Sequence, residues 1–141
     1  MGMTYQSIVV DAPVEKVWAG IRNFHDMSYA ANVITSLEAV GSLPGNKVGA
    51  KRLLNGVFHE TLLELDDGGR VIRYRIDEGP PPVSSSDVQN YVGMVRLLPV
   101  TEDGGTFVEW SSSWQNNDHD CAEFCHGIYV ALLADLKQHF S

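Results

Sequence analysis

The chain has few basic residues and few cysteines. Its 141 residues include 10 Lys and Arg against 18 Asp and Glu, which gives a formal net charge of −8. Nucleic-acid-binding domains carry a basic patch, and anionic lipid surfaces attract polybasic segments, so this charge balance argues against both kinds of partner. The two cysteines, Cys121 and Cys125, are too few for a disulfide framework.

Long apolar runs and targeting signals are also lacking. No apolar run approaches the roughly 20 residues that a membrane-spanning helix needs. The N-terminal segment MGMTYQSIVVDAP has no basic region followed by an apolar region, and Gln6 stands where the myristoylation motif requires Ser or Thr. We therefore expect a cytoplasmic protein that does not insert into a membrane.

The sequence contains no recognised nucleophile, phosphate-binding or zinc-protease motif. Its one group of metal-binding side-chain types is His119, Cys121, Cys125 and His126. The two cysteines are four residues apart and would share a helix face, but His126 is rotated by about 100° from Cys125 and no second pair completes a site. We predict no metal and no cofactor, with one cysteine in the core and the other members of the group near the surface.

What the sequence does contain is an ordered series of helix and strand patterns. A short β-type run at residues 5–13 precedes an amphipathic helix from about Pro13 to Asn23, and a short helix or irregular turn is expected from about Asp26 to Ala31. Turn signals such as DDGG and TEDGG separate the next six predicted strands. These strands are SLEAVGSL (36–43), KVGAKRLL (47–54), FHETLLEL (58–65), VIRYRI (71–76), NYVGMVRLLPV (90–100) and TFVEWSSSW (106–114). A long C-terminal helix follows, and Asp120 with Glu123 resembles a capping box at its start.

Strands joined by tight hairpins form an antiparallel sheet, so the pattern predicts an α+β fold. One long helix covers one face of such a sheet if the sheet curls around it. The Pro/Ser-rich segment GPPPVSSSDVQ (79–89) is not a domain linker, because neither side of it carries a complete core. We expect residues 1–141 to form a single domain.

Several segments carry a resemblance to a known superfamily: IVVDAPVEKVWAGIRNF, GVFHETLLELDD, YRIDEGP, NYVGMVRLLPV and TFVEWSSSW. In their order and spacing the chain resembles the START-like, helix-grip (SRPBCC) proteins. It is most similar to the polyketide cyclase/dehydrase-type subgroup and distantly similar to the plant abscisic-acid receptors. The resemblance implies a curved seven-stranded antiparallel sheet around the C-terminal helix, two short helices after the first strand, and a ligand cavity. It also implies that the loop Pro80–Gln89 forms a lid or rim of that cavity.

Alternation along the strands predicts which side chains face the interior. The charged residues Arg73, Arg75, Arg96 and Glu109 should face water, which turns their neighbours inward. Gly93 favours a cavity, because a missing side chain inside a strand leaves room. The inward residues of these three strands are then Ile72, Tyr74, Ile76, Tyr91, Gly93, Val95, Leu97, Val108, Trp110, Ser112 and Trp114. The helix would contribute Phe124, Ile128 and Leu132.

The strand FHETLLEL has two possible registers. One turns Phe58, Glu60 and Leu62 inward, and the other turns His59, Thr61, Leu63 and Leu65 inward. The hydrophobic count favours the second register, whereas similarity to the hormone-receptor branch, in which a glutamate helps to hold a polar ligand group, favours the first. We adopt the first, which requires Glu60 to have a hydrogen-bond partner or a raised pKa.

These assignments predict a ligand-binding wall that is mostly apolar with a few polar points, which suits an amphipathic molecule. Its residues are Phe58, Glu60, Leu62, Ile72, Tyr74, Ile76, Tyr91, Gly93, Val95, Val108, Trp110, Ser112, Phe124, Ile128 and Leu132. We predict a carrier or sensor of a hydrophobic or amphipathic small molecule such as a lipid or polyketide. One alternative is a cyclase or dehydratase in which Glu60 acts with Tyr74 or Tyr91 as acid and base. A weaker alternative is a protein-interaction module in which the same residues form a packed core.

Overall fold

The computed structural model describes residues 1–116 and 118–141, without the side chains of residues 118 and 119. His119, one member of the metal-type group considered above, therefore has its side chain outside the described part. The strands are β1 (Gly2–Val10), β2 (Leu37–Val40), β3 (Lys51–Leu54), β4 (Phe58–Asp66), β5 (Val71–Glu78), β6 (Gln89–Pro99) and β7 (Thr106–Gln115). The helices are α1 (Val14–Ile21), a 3₁₀ turn (Ser28–Ala30) and α2 (Asp118–Phe140).

The seven strands form one antiparallel sheet in the order β1-β7-β6-β5-β4-β3-β2. Helix α2 packs on β1 and β7, and the buried apolar side chains fill the space between the helix and the sheet. This architecture confirms the predicted α+β helix-grip fold. No helix in the described part of the chain is both long and apolar enough to cross a bilayer.

The sequence patterns predicted the order of the helices and strands correctly, but some of the predicted ends differ from those in the structure. Helix α1 is shorter than predicted, and β3 starts at Lys51 because residues 47–50 form turns. Helix α2 starts at Asp118, so Asp120 lies within its first turn and is not the capping residue that we predicted. The prediction of a single core cysteine is also wrong, since Cys121 and Cys125 are both buried.

A bulge resolves the two registers of β4. Phe58, Glu60 and Leu62 lie on the inner side of the strand, and the pairing with β5 then shifts between Leu62 and Glu64. After the shift Leu65 pairs with Ile72 and packs against the core. Each register is therefore correct for part of the strand, because one inserted residue exchanges its two faces.

The predicted alternation holds along β5 and β6, where the inward residues are buried apart from the half-buried Ile76, and the arginines are exposed or half-buried. Glu109 on β7 differs from the prediction that it faces water. Its side chain lies on the outer face, yet the residue is only 7% exposed. Tyr5 donates a hydrogen bond to its carboxylate and Arg96 donates another, and these two side chains cover it.

Candidate functional site

A small cavity lies between the sheet, helix α2 and the loop that follows β5. Its volume, measured as the space that the centre of a water molecule can occupy, is about 40 Å³. Nine of the residues predicted from the sequence line it: Phe58, Glu60, Tyr74, Ile76, Tyr91, Trp110, Phe124, Ile128 and Leu132. The other six, Leu62, Ile72, Gly93, Val95, Val108 and Ser112, do not belong to this lining and lie in the buried interior around it.

Sequence reasoning did not select seven further lining residues: Met27, Ile34, Arg52, Leu54, Val83, Cys125 and Tyr129. Arg52 had a signal that could have identified it. The turn at Asn55 and Gly56 makes β3 and β4 a hairpin, and that register sets Arg52 directly opposite Glu60. Tyr129 and Cys125 are four residues apart on α2, as Ile128 and Phe124 are, and each follows one of those predicted residues by one position.

Arg52 and Glu60 form an ion pair at the polar end of the cavity. The Nε and Nη2 atoms of Arg52 donate to Oε1 of Glu60 at 2.9 and 2.7 Å, and both side chains are 6% exposed. The Nη1 atom donates to the carbonyl oxygen of Phe24 at 3.1 Å, and the guanidinium carbon lies 3.8 Å from the centre of the Phe24 ring. All three guanidinium nitrogens are therefore engaged with the protein.

The carboxylate of Glu60 is less fully engaged. Both bonds from Arg52 reach Oε1, and Oε2 has no hydrogen-bond partner among the described residues. It is not among their fully buried unpartnered atoms either, so it retains contact with accessible space, and Glu60 lines both this cavity and a second pocket beside Lys51, His59 and Asp77. Burial raises the pKa of Glu60 above its usual 4.5, although the neighbouring guanidinium acts in the opposite direction. Because a guanidinium keeps its proton, the pair is balanced when Glu60 is ionised.

Three phenols and an indole form a hydrogen-bonded chain along the same wall. Trp110 Nε1 donates to the Tyr74 oxygen at 3.0 Å, and that oxygen lies 2.9 Å from the Tyr129 oxygen. Tyr129 is in turn hydrogen-bonded to Tyr91, which also interacts with Cys125. Since Tyr74 accepts from Trp110, a chain in which each phenol donates to the next satisfies every member.

Burial raises the pKa of Tyr74, Tyr91 and Tyr129 well above the usual 10. The phenols are therefore neutral at physiological pH. They can donate and accept hydrogen bonds, but they do not supply a phenolate base. Their arrangement orients a polar group more readily than it removes a proton.

Gly93 serves a different purpose from the one that its sequence position suggested. A Cβ atom at this position would meet the Tyr74 ring at 2.2 to 2.6 Å. The missing side chain thus leaves room for Tyr74, which is its direct partner on β5, and not for a void. The inference that Gly93 opens the cavity is wrong.

The cavity reaches the surface through half-buried apolar residues. Ile34, Phe58, Ile76, Phe124 and Ile128 belong to its lining and are all partly exposed. Such a cluster offers an apolar entrance to a site whose polar groups lie deeper.

The Pro/Ser-rich loop lies across this entrance. Val83 of the loop is 2% exposed and lines the cavity, and Val88 is also buried. Glu78 holds the loop, because its carboxylate accepts hydrogen bonds from the backbone N–H groups of Gly79 and Ser85 and from the Ser85 hydroxyl. The loop is therefore part of the cavity wall, with a valine as its inward residue.

Of the two cysteines, Cys125 lines the cavity, and Cys121 lies four residues earlier on the same helix. Their sulfur atoms are 3.8 Å apart, and burial raises the pKa of both thiols. The His126 Nδ1 atom lies 3.0 Å from the Gln6 side-chain oxygen. Among the described residues, no group of three or more His, Cys, Asp or Glu side chains could hold a metal ion.

A curled antiparallel sheet around one long helix, with an apolar cavity between them, defines a helix-grip protein. The profile of the family described as polyketide cyclase / dehydrase and lipid transport matches residues 1–141. The chain belongs to this family. No curated protein is significantly similar to the chain in sequence.

Solved structures from bacteria are similar to the chain over nearly its full length. A protein from Nitrosospira multiformis is 52% identical with a TM-score of 0.96, and the match covers 99% of this chain and 96% of that one. The protein XoxI from Bacillus cereus is 27% identical with a TM-score of 0.82, over 99% and 96% of the two chains. An uncharacterized protein from Bacillus thuringiensis is 26% identical with a TM-score of 0.81, over 99% and 98%.

Proposed function

We propose that the protein binds a hydrophobic or amphipathic small molecule between the sheet and helix α2, as a carrier or sensor. The observation that carries this proposal is the combination of an apolar entrance with a deep polar end. Phe58, Phe124 and Ile128 are half-buried at the entrance, while Arg52 and Glu60 are buried in the same lining. The family description, which includes lipid transport, supports the same class of ligand.

Binding requires the site to open. A volume of about 40 Å³ has room for a few water molecules but not for a lipid or polyketide. Val83 lines the cavity from a loop attached through the Glu78 side chain, so withdrawal of this loop is the proposed route of entry. The phenols with their raised pKa are hydrogen-bonding groups in this scheme, which makes a carrier the better proposal than a cyclase.

The test is native mass spectrometry of the protein purified from its own host. We expect a small molecule to accompany the wild type and to be lost in Ile128→Trp, which fills the cavity. Val130→Trp is the matched control, because Val130 lies two residues further along α2 and is 49% exposed. Circular dichroism and thermal unfolding would check that both variants fold.

The packed-core alternative makes the opposite prediction. If the wild type carries no molecule and no apolar probe binds it, the small volume is that of an ordinary packed interior, and the carrier proposal fails. An equal loss of ligand in Val130→Trp would also contradict it, because the binding site would then lie on the helix surface.

A further inference from the structure

The charges that line the cavity sum to zero. Arg52 and Glu60 are its charged lining residues, and they neutralise one another at 2.7 Å. A ligand carboxylate would lie beside the Glu60 carboxylate with no unpaired cation to receive it. Such an anion would lose its hydration and meet a like charge in a region of low dielectric, which is unfavourable on both counts.

Most of the hydrogen-bond donors at the polar end are already in use, because three of the five N–H groups of Arg52 donate to the protein. Every nitrogen of the Arg52 guanidinium donates to Glu60 or to the carbonyl oxygen of Phe24. The Trp110 indole donates to Tyr74, and each phenol can donate its own hydrogen bond to the next member of the chain of tyrosines. Among the described residues, two N–H groups of Arg52 have no acceptor, and Oε2 of Glu60 is the charged acceptor that has no partner.

From this balance we infer that the ligand is an uncharged molecule that donates a hydrogen bond to Oε2 of Glu60, as an alcohol or a phenol does, and is not a carboxylate. The inference rests on the proposed function and specifies the class of ligand. It excludes free fatty acids and other acids from the preferred ligands of this cavity.

Three single-ring probes test the inference, and they are small so that the site has to open as little as possible. They are p-cresol, which donates a hydrogen bond, 4-methylanisole, which only accepts, and p-toluate, which is an anion. Near pH 7 the cresol is neutral and the toluate is ionised. Ligand-observed NMR gives the three dissociation constants, and Ile128→Trp against Val130→Trp identifies the part of the signal that comes from the cavity.

We expect p-cresol to bind at least about tenfold more tightly than 4-methylanisole, because a hydrogen bond to an ionised group contributes that much. We expect p-toluate to bind at least about tenfold more weakly than p-cresol, because it faces a like charge in a desolvated site. In the double variant Arg52→Met with Glu60→Leu, which removes both charges and keeps a similar volume, the preference for p-cresol over 4-methylanisole should disappear.

The outcomes separate this inference from the proposed function. If p-toluate binds as tightly as p-cresol, or if the double variant keeps the preference for p-cresol, the ligand class is wrong while the cavity still binds small molecules. If none of the three probes binds in a manner sensitive to Ile128→Trp, the proposed function fails and the ligand class fails with it. Should the double variant not fold, the three wild-type dissociation constants still decide the inference.

Discussion

Two of the Arg–Glu pairs that join neighbouring strands lie on opposite faces of this sheet. Arg52 and Glu60 are direct partners between β3 and β4, and Arg96 and Glu109 are direct partners between β6 and β7. The shortest nitrogen–oxygen distance is 2.7 Å in both pairs. The inner pair is 6% and 6% exposed, whereas the outer pair is 43% and 9% exposed.

The pKa values of the two carboxylates shift in opposite directions, although each arginine acts to lower the pKa of its partner. Burial dominates at Glu60 and raises its pKa, while the hydrogen bond from Arg96 dominates at Glu109 and lowers its pKa. The two pairs have the same residue types at the same distance. The pKa shifts of their carboxylates therefore differ because only the inner pair is buried away from water. A buried ion pair is weak evidence for stability, since desolvation offsets the attraction, and this supports a functional reason for the inner pair.

The largest expected effect comes from breaking the inner pair on one side. Arg52→Met should lower the free energy of unfolding by about 3–5 kcal/mol, because Glu60 would remain buried without a counter-charge. Arg96→Met is the matched control on the outer face and should cost much less, because Arg96 is exposed to water. Urea unfolding of both variants measures the difference.

The pH dependence of the free energy of unfolding should also distinguish the two pairs. A carboxyl with a raised folded-state pKa stabilises the fold fully below its unfolded value, and that contribution is lost as the pH rises through the folded pKa. Without Arg52 the pKa of Glu60 should rise further, so the deficit of Arg52→Met should grow as the pH rises through the raised folded-state pKa that Glu60 has in the wild type. The double variant Arg52→Met with Glu60→Leu should recover most of the lost stability. An equally large loss in the double variant would mean that the residues matter for packing and not for charge.

Much of the fold could be predicted from the sequence because its signals are local. Gly/Asp turns fixed the hairpins, and periodicity changed from strands to helix near the C-terminus. The bulge in β4 could not be predicted, since one inserted residue exchanges the two faces without changing the composition of the strand. The hydrophobic count and the family resemblance disagreed there because each described a different half of the strand.

The candidate site was less predictable than the fold, for a physical reason. Alternation indicates the face of a side chain but not the space that neighbouring side chains fill. Tyr74 occupies the room above Gly93, so the void lies elsewhere. Tyr129 was missed because its hydroxyl is satisfied by Tyr74 and Tyr91, two residues far away in the chain. Contacts of this kind depend on tertiary packing, which the sequence pattern does not show.

Gly93→Ala tests how tightly the side chains on the inner face of the sheet are packed, without changing any charge. The added methyl group would overlap the Tyr74 ring, and we expect a loss of about 1–3 kcal/mol because overpacking forces neighbouring side chains to move. Gly127→Ala is the control, since Gly127 lies in α2 and the new methyl group would meet nothing within 4 Å beyond its chain neighbours and the backbone of its own helix; it should stabilise the helix by up to about 1 kcal/mol. Thermal and urea unfolding measure both changes. A neutral Gly93→Ala would show that Tyr74 moves freely, which would contradict a fixed chain of phenols.

The smallest expected effect is on the outer pair, and its pH dependence has the opposite sign. Above its usual 4.5 the Glu109 carboxylate is ionised and held by Arg96 and Tyr5, and this stabilisation is lost as the pH falls through the lowered folded pKa. Glu109→Gln should therefore cost about 1 kcal/mol near neutral pH, and the difference from the wild type should shrink below pH 4.5. Glu64→Gln, which removes the more exposed pair with Arg73, is the control and should change less. If the deficit of Glu109→Gln instead grew in acid, Glu109 would behave like Glu60, and depth in the sheet would not be what separates the two pairs.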